Sequence, residues 1–284
     1  MNFKILLLLF IAMISVSTSP IIARYLENVP AIAISLWRMS FGAIILWLFS
    51  FIRSEKPLNN SNLKRTIIAG ILLGIHFALF FESIKLTSIA NATFLGTLAP
   101  VFTYLIEKYF LNRNQSISIS IGLLLAIIGA IIIIGNEFNF TNSYTIGNLL
   151  AIACSIFLGL AFIISENVRS EVGTISYSRT LFLTAAITLF ILSLLINTQI
   201  IGFSKFEYVG LFILGIIPTL LGHGLMYYSI KYVSPTVVAS TPMGEPIIAS
   251  ILAWILFNEV VSLTTFIGGS VTLVGIFILS KKNK

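Results

Sequence analysis

Apolar residues run through this chain in long blocks separated by short polar connectors. The blocks fall at about 3–23, 30–52, 66–86, 88–110, 116–135, 145–166, 177–197, 207–230, 234–257 and 262–280. Each reaches the ~20 residues that a helix needs to cross a ~30 Å hydrocarbon layer. The longest polar connector runs only from about Arg53 to Arg65, too short to fold by itself. The pattern predicts an all-α integral membrane protein of ten transmembrane helices. The first block, within MNFKILLLLFIAMISVSTSP, has the outline of a signal peptide. Apolar character resumes at once in Pro20-Ile21-Ile22-Ala23, so the block reads as the first span.

Composition agrees. Hydrophobic residues make up 57% of the chain and charged residues 10%, against about 25% charged in soluble domains. The net charge of +7 does not point to nucleic acid, because the basic residues lie in connectors and not on one face. They do set an orientation. With the N-terminus in the cytoplasm, Lys4, Arg53, Lys56, Lys64, Arg65, Lys108, Arg113, Arg169, Arg179, Lys231, Lys281, Lys282 and Lys284 fall inside. Only Arg24, Lys85 and Lys205 fall outside, and Arg38 lies within a span. Both termini are therefore expected in the cytoplasm, with the bundle in the cell (inner) membrane.

The sequence occurs twice. Displaced by 146 residues, SIKLTS (83–88) falls on SIKYVS (229–234), Pro100 on Pro246, Asn112 on Asn258, Ser116 on Ser262, Gly122 on Gly268 and Gly129 on Gly275. Positions 83–132 hold eleven identities in fifty without a gap, the mark of an internal repeat. Each repeat carries five spans, and five is odd, so the second copy must be inverted. The expected domains are residues 1–140 and 141–284, two five-helix repeats of opposite orientation that enclose a site near the bilayer midplane. Gly122 and Gly129, and likewise Gly268 and Gly275, lie two turns apart on one helix face, which suits close helix packing.

SIKYVSPTVVAS followed by GEPIIASILAWILFNE resembles the repeated signature of EamA-type proteins in the drug/metabolite transporter superfamily. SIKLTSIANATFLGTLAPVFTYLIEKYF looks like its partner in the first copy, and Pro30 followed by Arg38 is similar to the family's second-helix pattern. The resemblance covers nearly the whole chain. It implies a ten-helix secondary carrier, often an exporter of amino acids or related metabolites. One departure stands out: the family usually closes this helix with glutamate in both copies, and here Glu259 fills the place in the second copy but Arg113 in the first.

Glu245 carries the strongest chemical signal. It lies about eleven residues into its span, ~16 Å deep at 1.5 Å per residue. A carboxyl there can take and release a proton, which makes it the proton-coupling candidate. It can equally cap carbonyls freed by Pro242 and Pro246. Pro100 and Pro246 sit at equivalent depths and are the hinge candidates. His76 with Phe80, and His223 with Tyr227, form two similar walls suited to an organic zwitterion or aromatic solute. Arg38 should face the bundle, either clasping Glu82 or receiving a substrate carboxylate. Ser17, Asn91 and Thr241 complete the candidate substrate-binding set.

Rival readings are a receptor or assembly protein, and an intramembrane enzyme. The chain has no aspartate, no HExxH, no GxSxG and no GxxxxGK[ST], so metal-dependent and ATP-driven chemistry lack their usual residues. Cys154 is the only cysteine, which rules out an intrachain disulfide or a thiolate cluster. The expectation is a transporter and not an enzyme, with no metal or cofactor. Its partners are a small-molecule substrate and the lipid bilayer, and it is a monomer or weak homodimer.

Overall fold

A computed structural model describes residues 2–87, 89–134, 142–257 and 263–280. Ser88, Asn258, Glu259, Ser262, Lys281, Lys282 and Lys284, all used in the sequence reading, lie outside the described residues. Every regular element among the described residues is helical. The first repeat frame holds α1 (Phe3–Val16), α2 (Thr18–Tyr25), α3 (Ala31–Ile52), α4 (Asn60–Leu86), α5 (Ile89–Gly96), α6 (Ala99–Leu105) with a π-helical turn at Ile106–Phe110, and α7 (Ile117–Ile134). The second holds α8 (Asn142–Arg169), α9 (Thr174–Leu195) and α10 (Lys205–Leu214), then a π segment at Gly215–His223 leading into α11 (Gly224–Ser229). After these come α12 (Pro235–Ala239), a 3₁₀ turn at Thr241–Gly244, α13 (Glu245–Phe257) and α14 (Leu263–Ser280).

Seven helical stretches among the described residues are long and apolar enough to cross a membrane: Phe3–Tyr25, Ala31–Ile52, Asn60–Leu86, Thr145–Arg169, Thr174–Leu195, Lys205–Ser229 and Pro235–Leu256. Ile117–Ile132 and Phe266–Ser280 are shorter apolar helices. The block expected as one helix over 88–110 is divided between α5 and α6. The break falls at Thr97–Leu98, directly before Ala99 and Pro100. Proline has no N–H to donate, so it is tolerated in the first turn of α6 and not in the middle of a continuous helix. Pro246 occupies the equivalent place at the start of α13, behind the 3₁₀ turn. Both hinge candidates therefore open the second segment of a broken span.

Local chemistry sets the helix ends. Asn59 accepts from the backbone N of Asn62 at 2.8 Å and starts α4. Ser204 and Glu207 form a capping box at the start of α10. Ser54, Asn112 and Asn197 turn the chain with φ of 50° just past helix ends, where a short polar side chain tolerates the left-handed region better than most.

The buried centre is built by α3, α4, α8 and α9, joined by the π segment and α11. α7 and α14 form a second body, packed along their glycines. A Cβ on Gly129 would lie 2.4 Å from Gly268 O, and one on Gly122 would lie 2.6 Å from Gly275 O. No Cβ fits at such distances, so the two backbones touch along the faces that the repeat singled out.

Candidate functional site

α3 places Arg38 near the middle of the bundle, 1% exposed. Its Nε donates to Thr219 Oγ1 at 2.8 Å and its Nη1 to Ser19 Oγ at 2.9 Å. The guanidinium lies over the ring of Phe77 on α4, 4.1 Å from the centroid, a cation–π arrangement. Thr219 reaches it because α3 and the π segment approach closely. A Cβ on Gly215 would fall 2.6 Å from Phe41 Cβ, and one on Gly42 would fall 2.9 Å from Thr219 Cγ2. The expected clasp with Glu82 does not form. Glu82 is exposed, and the guanidinium turns inward to hydroxyls and an aromatic face instead.

Two histidines flank the arginine. His223 Nδ1 lies 2.9 Å from Pro218 O, and His76 Nδ1 lies 2.9 Å from Cys154 O. A carbonyl can only accept, so each Nδ1 carries its hydrogen and each Nε2 is left as an acceptor. The 3.3 Å approach of Arg38 Nη2 to His223 Nδ1 then brings two donors together and is a proximity, not a bond. His76 also stacks on Phe80 with centroids 6.1 Å apart.

Arg38, His76, Phe77, Phe80, His223 and Glu245 line one cavity of about 30 Å³ with Ser19, Thr97 and Pro242. That is room for about two waters. His223 Nε2 and Glu245 Oε1 are both buried there without a hydrogen-bond partner. Arg38 and Glu245 face the same space, yet no ion pair joins them among the described residues. The arrangement is a fixed cation, a carboxyl oxygen and imidazole acceptors around a small hollow between aromatic walls. It can receive hydrogen bonds from a ligand on one side and donate them on the other.

The sequence candidates thus divide. Arg38, His76, Phe80, His223 and Glu245 come together. Tyr227 does not join His223. It packs behind the cavity against Phe162 and Tyr177, with centroids 5.6 Å away in each case. Ser17 spends its hydroxyl on Met13 O at 2.7 Å. Asn91 lies near α8, beside Thr87, which bonds Asn148 at 2.9 Å. Thr241 is buried on the 3₁₀ turn but outside the cavity lining. The candidate set left out Phe77, Ser19 and Thr219, which the structure brings to the arginine or the cavity. Phe77 aligns with His223 in the repeat frame, and Thr219 follows a helix proline, so both carried a usable signal.

Tyr227 gives a clean control. Its hydroxyl is fully buried and has no partner, which costs about 1–3 kcal/mol. Tyr227→Phe is expected to raise the unfolding temperature of the purified protein and to leave activity unchanged. A melt in detergent reads the first, and vesicle flux reads the second.

A larger cavity of about 720 Å³ opens at the end of the bundle that carries the N-terminus. Asn2, Lys4, Arg113, Tyr228, Tyr232 and Ser234 are among its lining residues. An apolar cluster containing Ile5, Leu9, Val237 and Met243 leads from this vestibule toward the central cavity.

The EamA-like transporter family matches residues 3–135 and again 145–281. The chain belongs to that family. Its similarity to individual transporters is distant but covers most of each chain. It is 20% identical to the uncharacterized transporter YoaV of Bacillus subtilis, covering 89% of this chain and 88% of that one. It is 22% identical to the pseudopaline exporter CntI of Pseudomonas aeruginosa, covering 90% and 88%. An S-adenosylmethionine uptake transporter of Rickettsia felis is 23% identical over 96% of this chain and 92% of its own. A solved crystal structure superposes with a TM-score of 0.83 over 99% of both chains at 18% identity, a likeness of fold. Membership makes the chain a multi-pass membrane transporter of small molecules, and the central cavity is its candidate substrate site.

Proposed function

We propose that this protein is a gradient-driven secondary transporter that exports a small organic metabolite, an amino acid or a related compound, by alternating access. The two halves, residues 1–140 and 141–284, are inverted five-helix repeats that rock about the central cavity. Both termini lie in the cytoplasm by the distribution of lysine and arginine, so the 720 Å³ vestibule is the cytoplasmic mouth. The observation that carries this reading is the separated pair in the central cavity. Arg38 and Glu245 present opposite charge types across one hollow without meeting, beside the unpartnered His223 Nε2. A zwitterion fits that pattern end to end: its carboxylate takes the spare N–H groups of Arg38, and its ammonium donates to Glu245 and the imidazole nitrogens. The cavity is smaller than any such cargo, so binding requires the halves to part. Export follows the family resemblance, while the similar proteins are named for both directions.

The test is flux through the purified protein in proteoliposomes, with a panel of amino acids and their amine and acid analogues, with and without a pH gradient. Zwitterions are expected to move in preference to analogues that lack either end. Glu245→Gln is expected to abolish the response to the pH gradient, because an amide cannot bind and release the proton. Proton-driven flux that survives this substitution removes Glu245 from the coupling role.

A further inference from the structure

The broken span α12–3₁₀–α13 has Thr236 at its vestibule end, between the vestibule-lining Ser234 and Val237, and Glu245 at the central cavity. Thr236 is held by the other half of the molecule. Glu107, on the π turn after α6, accepts from Thr236 N at 3.2 Å and from Thr236 Oγ1 through the same oxygen, Oε2. Its second oxygen, Oε1, takes Arg113 Nη1 at 2.9 Å. Arg113 also binds Glu166 on α8 through both terminal nitrogens, at 3.0 and 2.7 Å. Glu107 is completely buried, and all of its bonds run to Thr236 and Arg113. In this series Glu107 and Arg113 of the first repeat frame lie between Thr236 and Glu166 of the second.

We propose that Glu107 is a positioning residue of the transport cycle, the centre of a latch that holds the vestibule shut against the central cavity. The proposal rests on the alternating-access reading above and adds the contact that must break for the cavity to open inward. While Glu107 holds Thr236, α12 stays seated on α6, and Val237 and Met243 stay packed with Ile5 and Leu9 across the path. Releasing Thr236 frees the segment that carries Pro242 and Glu245. Arg113 pairs with the buried carboxyl group and aims it, and Glu166 braces Arg113 from α8. The family pattern has glutamate where this chain has Arg113, so the latch is built from this chain's departure. It is also one-sided. Displacement by 146 residues sets Glu107 against Ala253 and Thr236 against Ala90, neither of which can form such bonds.

The experiment reads access to Met243, which is 1% exposed. Met243→Cys is introduced into the full chain, whose native Cys154 is fully buried. It is then labelled in inside-out vesicles with a membrane-impermeant maleimide, with the unsubstituted protein as background. Adding Thr236→Val, which keeps shape and loses the hydroxyl, is expected to raise the labelling rate about tenfold, as loss of a hydrogen bond to a charged group allows. Thr236→Ser is expected to restore the slow rate. Glu166→Gln, at a half-buried position, should raise labelling more modestly. Equal labelling in the Thr236→Val and latch-intact proteins overturns the proposal, as does a failure of Thr236→Ser to reverse the effect. If Thr236→Val does not fold, Glu166→Gln alone decides, and an unchanged rate there is also fatal. No cargo is needed, so the latch can fail while transport stands, and an inactive flux panel leaves the labelling result readable.

Discussion

Arg38→Lys is expected to reduce substrate flux about 100-fold while the protein still folds. Arginine here does three things at once: it donates to Thr219, donates to Ser19 and lies flat over Phe77. A lysine ammonium is a single point on a flexible stem and cannot span those partners from one position. Losing even two hydrogen bonds to a charged group costs about 3 kcal/mol or more, which is two factors of ten. The charge remains, so a purely electrostatic role would leave flux near normal. Uptake by proteoliposomes, beside a melt of the purified variant, separates the two. A variant that melts normally but transports normally as well would show that the fork geometry is irrelevant.

Gly129→Leu is expected to prevent folding of the bundle. The glycine has no space for even one carbon: its absent Cβ would fall 2.4 Å from Gly268 O and 2.5 Å from Thr272 N, both on α14. Backbone cannot rotate aside as a flexible side chain can. Overpacking in a filled core costs about 1–3 kcal/mol, and parting two touching helices along their length costs more. Loss of the monodisperse peak in detergent, set beside an Ile131→Leu control on the same helix at an exposed position, is the measurement. A well-folded Gly129→Leu protein would mean that α7 and α14 separate freely.

Much of this was legible in the sequence because bilayer physics is severe. Spans announce themselves as apolar blocks, and paired glycines seven residues apart announce a close seam, as α7 and α14 bear out. Arg38, His76, His223 and Glu245 stood out because groups that hydrogen-bond strongly are rare at that depth. Side-chain direction was harder to read. Helical spacing put His223 and Tyr227 on one face, but the π segment Gly215–His223 ends between them and changes the phase. The partner of Arg38 was misjudged because Thr219 comes from 181 positions away, brought there by two glycines whose role only contact reveals. Glu107 belonged to no candidate set, yet it is completely buried. Nothing in the local pattern says that a carboxylate will find Thr236 on another segment 129 positions later.

The wide turn that carries Thr219 and His223 has a mechanical side. A π-helical stretch closes its hydrogen bonds over one more residue than an α-helix does, so it holds surplus chain. Were that slack drawn out into ordinary α form, the neighbouring side chains would swing by about 100° around the axis. Arg38 would then lose Thr219 and the imidazole beside it together. The nine residues from which Thr219 reaches the arginine thus hold spare chain that such a change would use up.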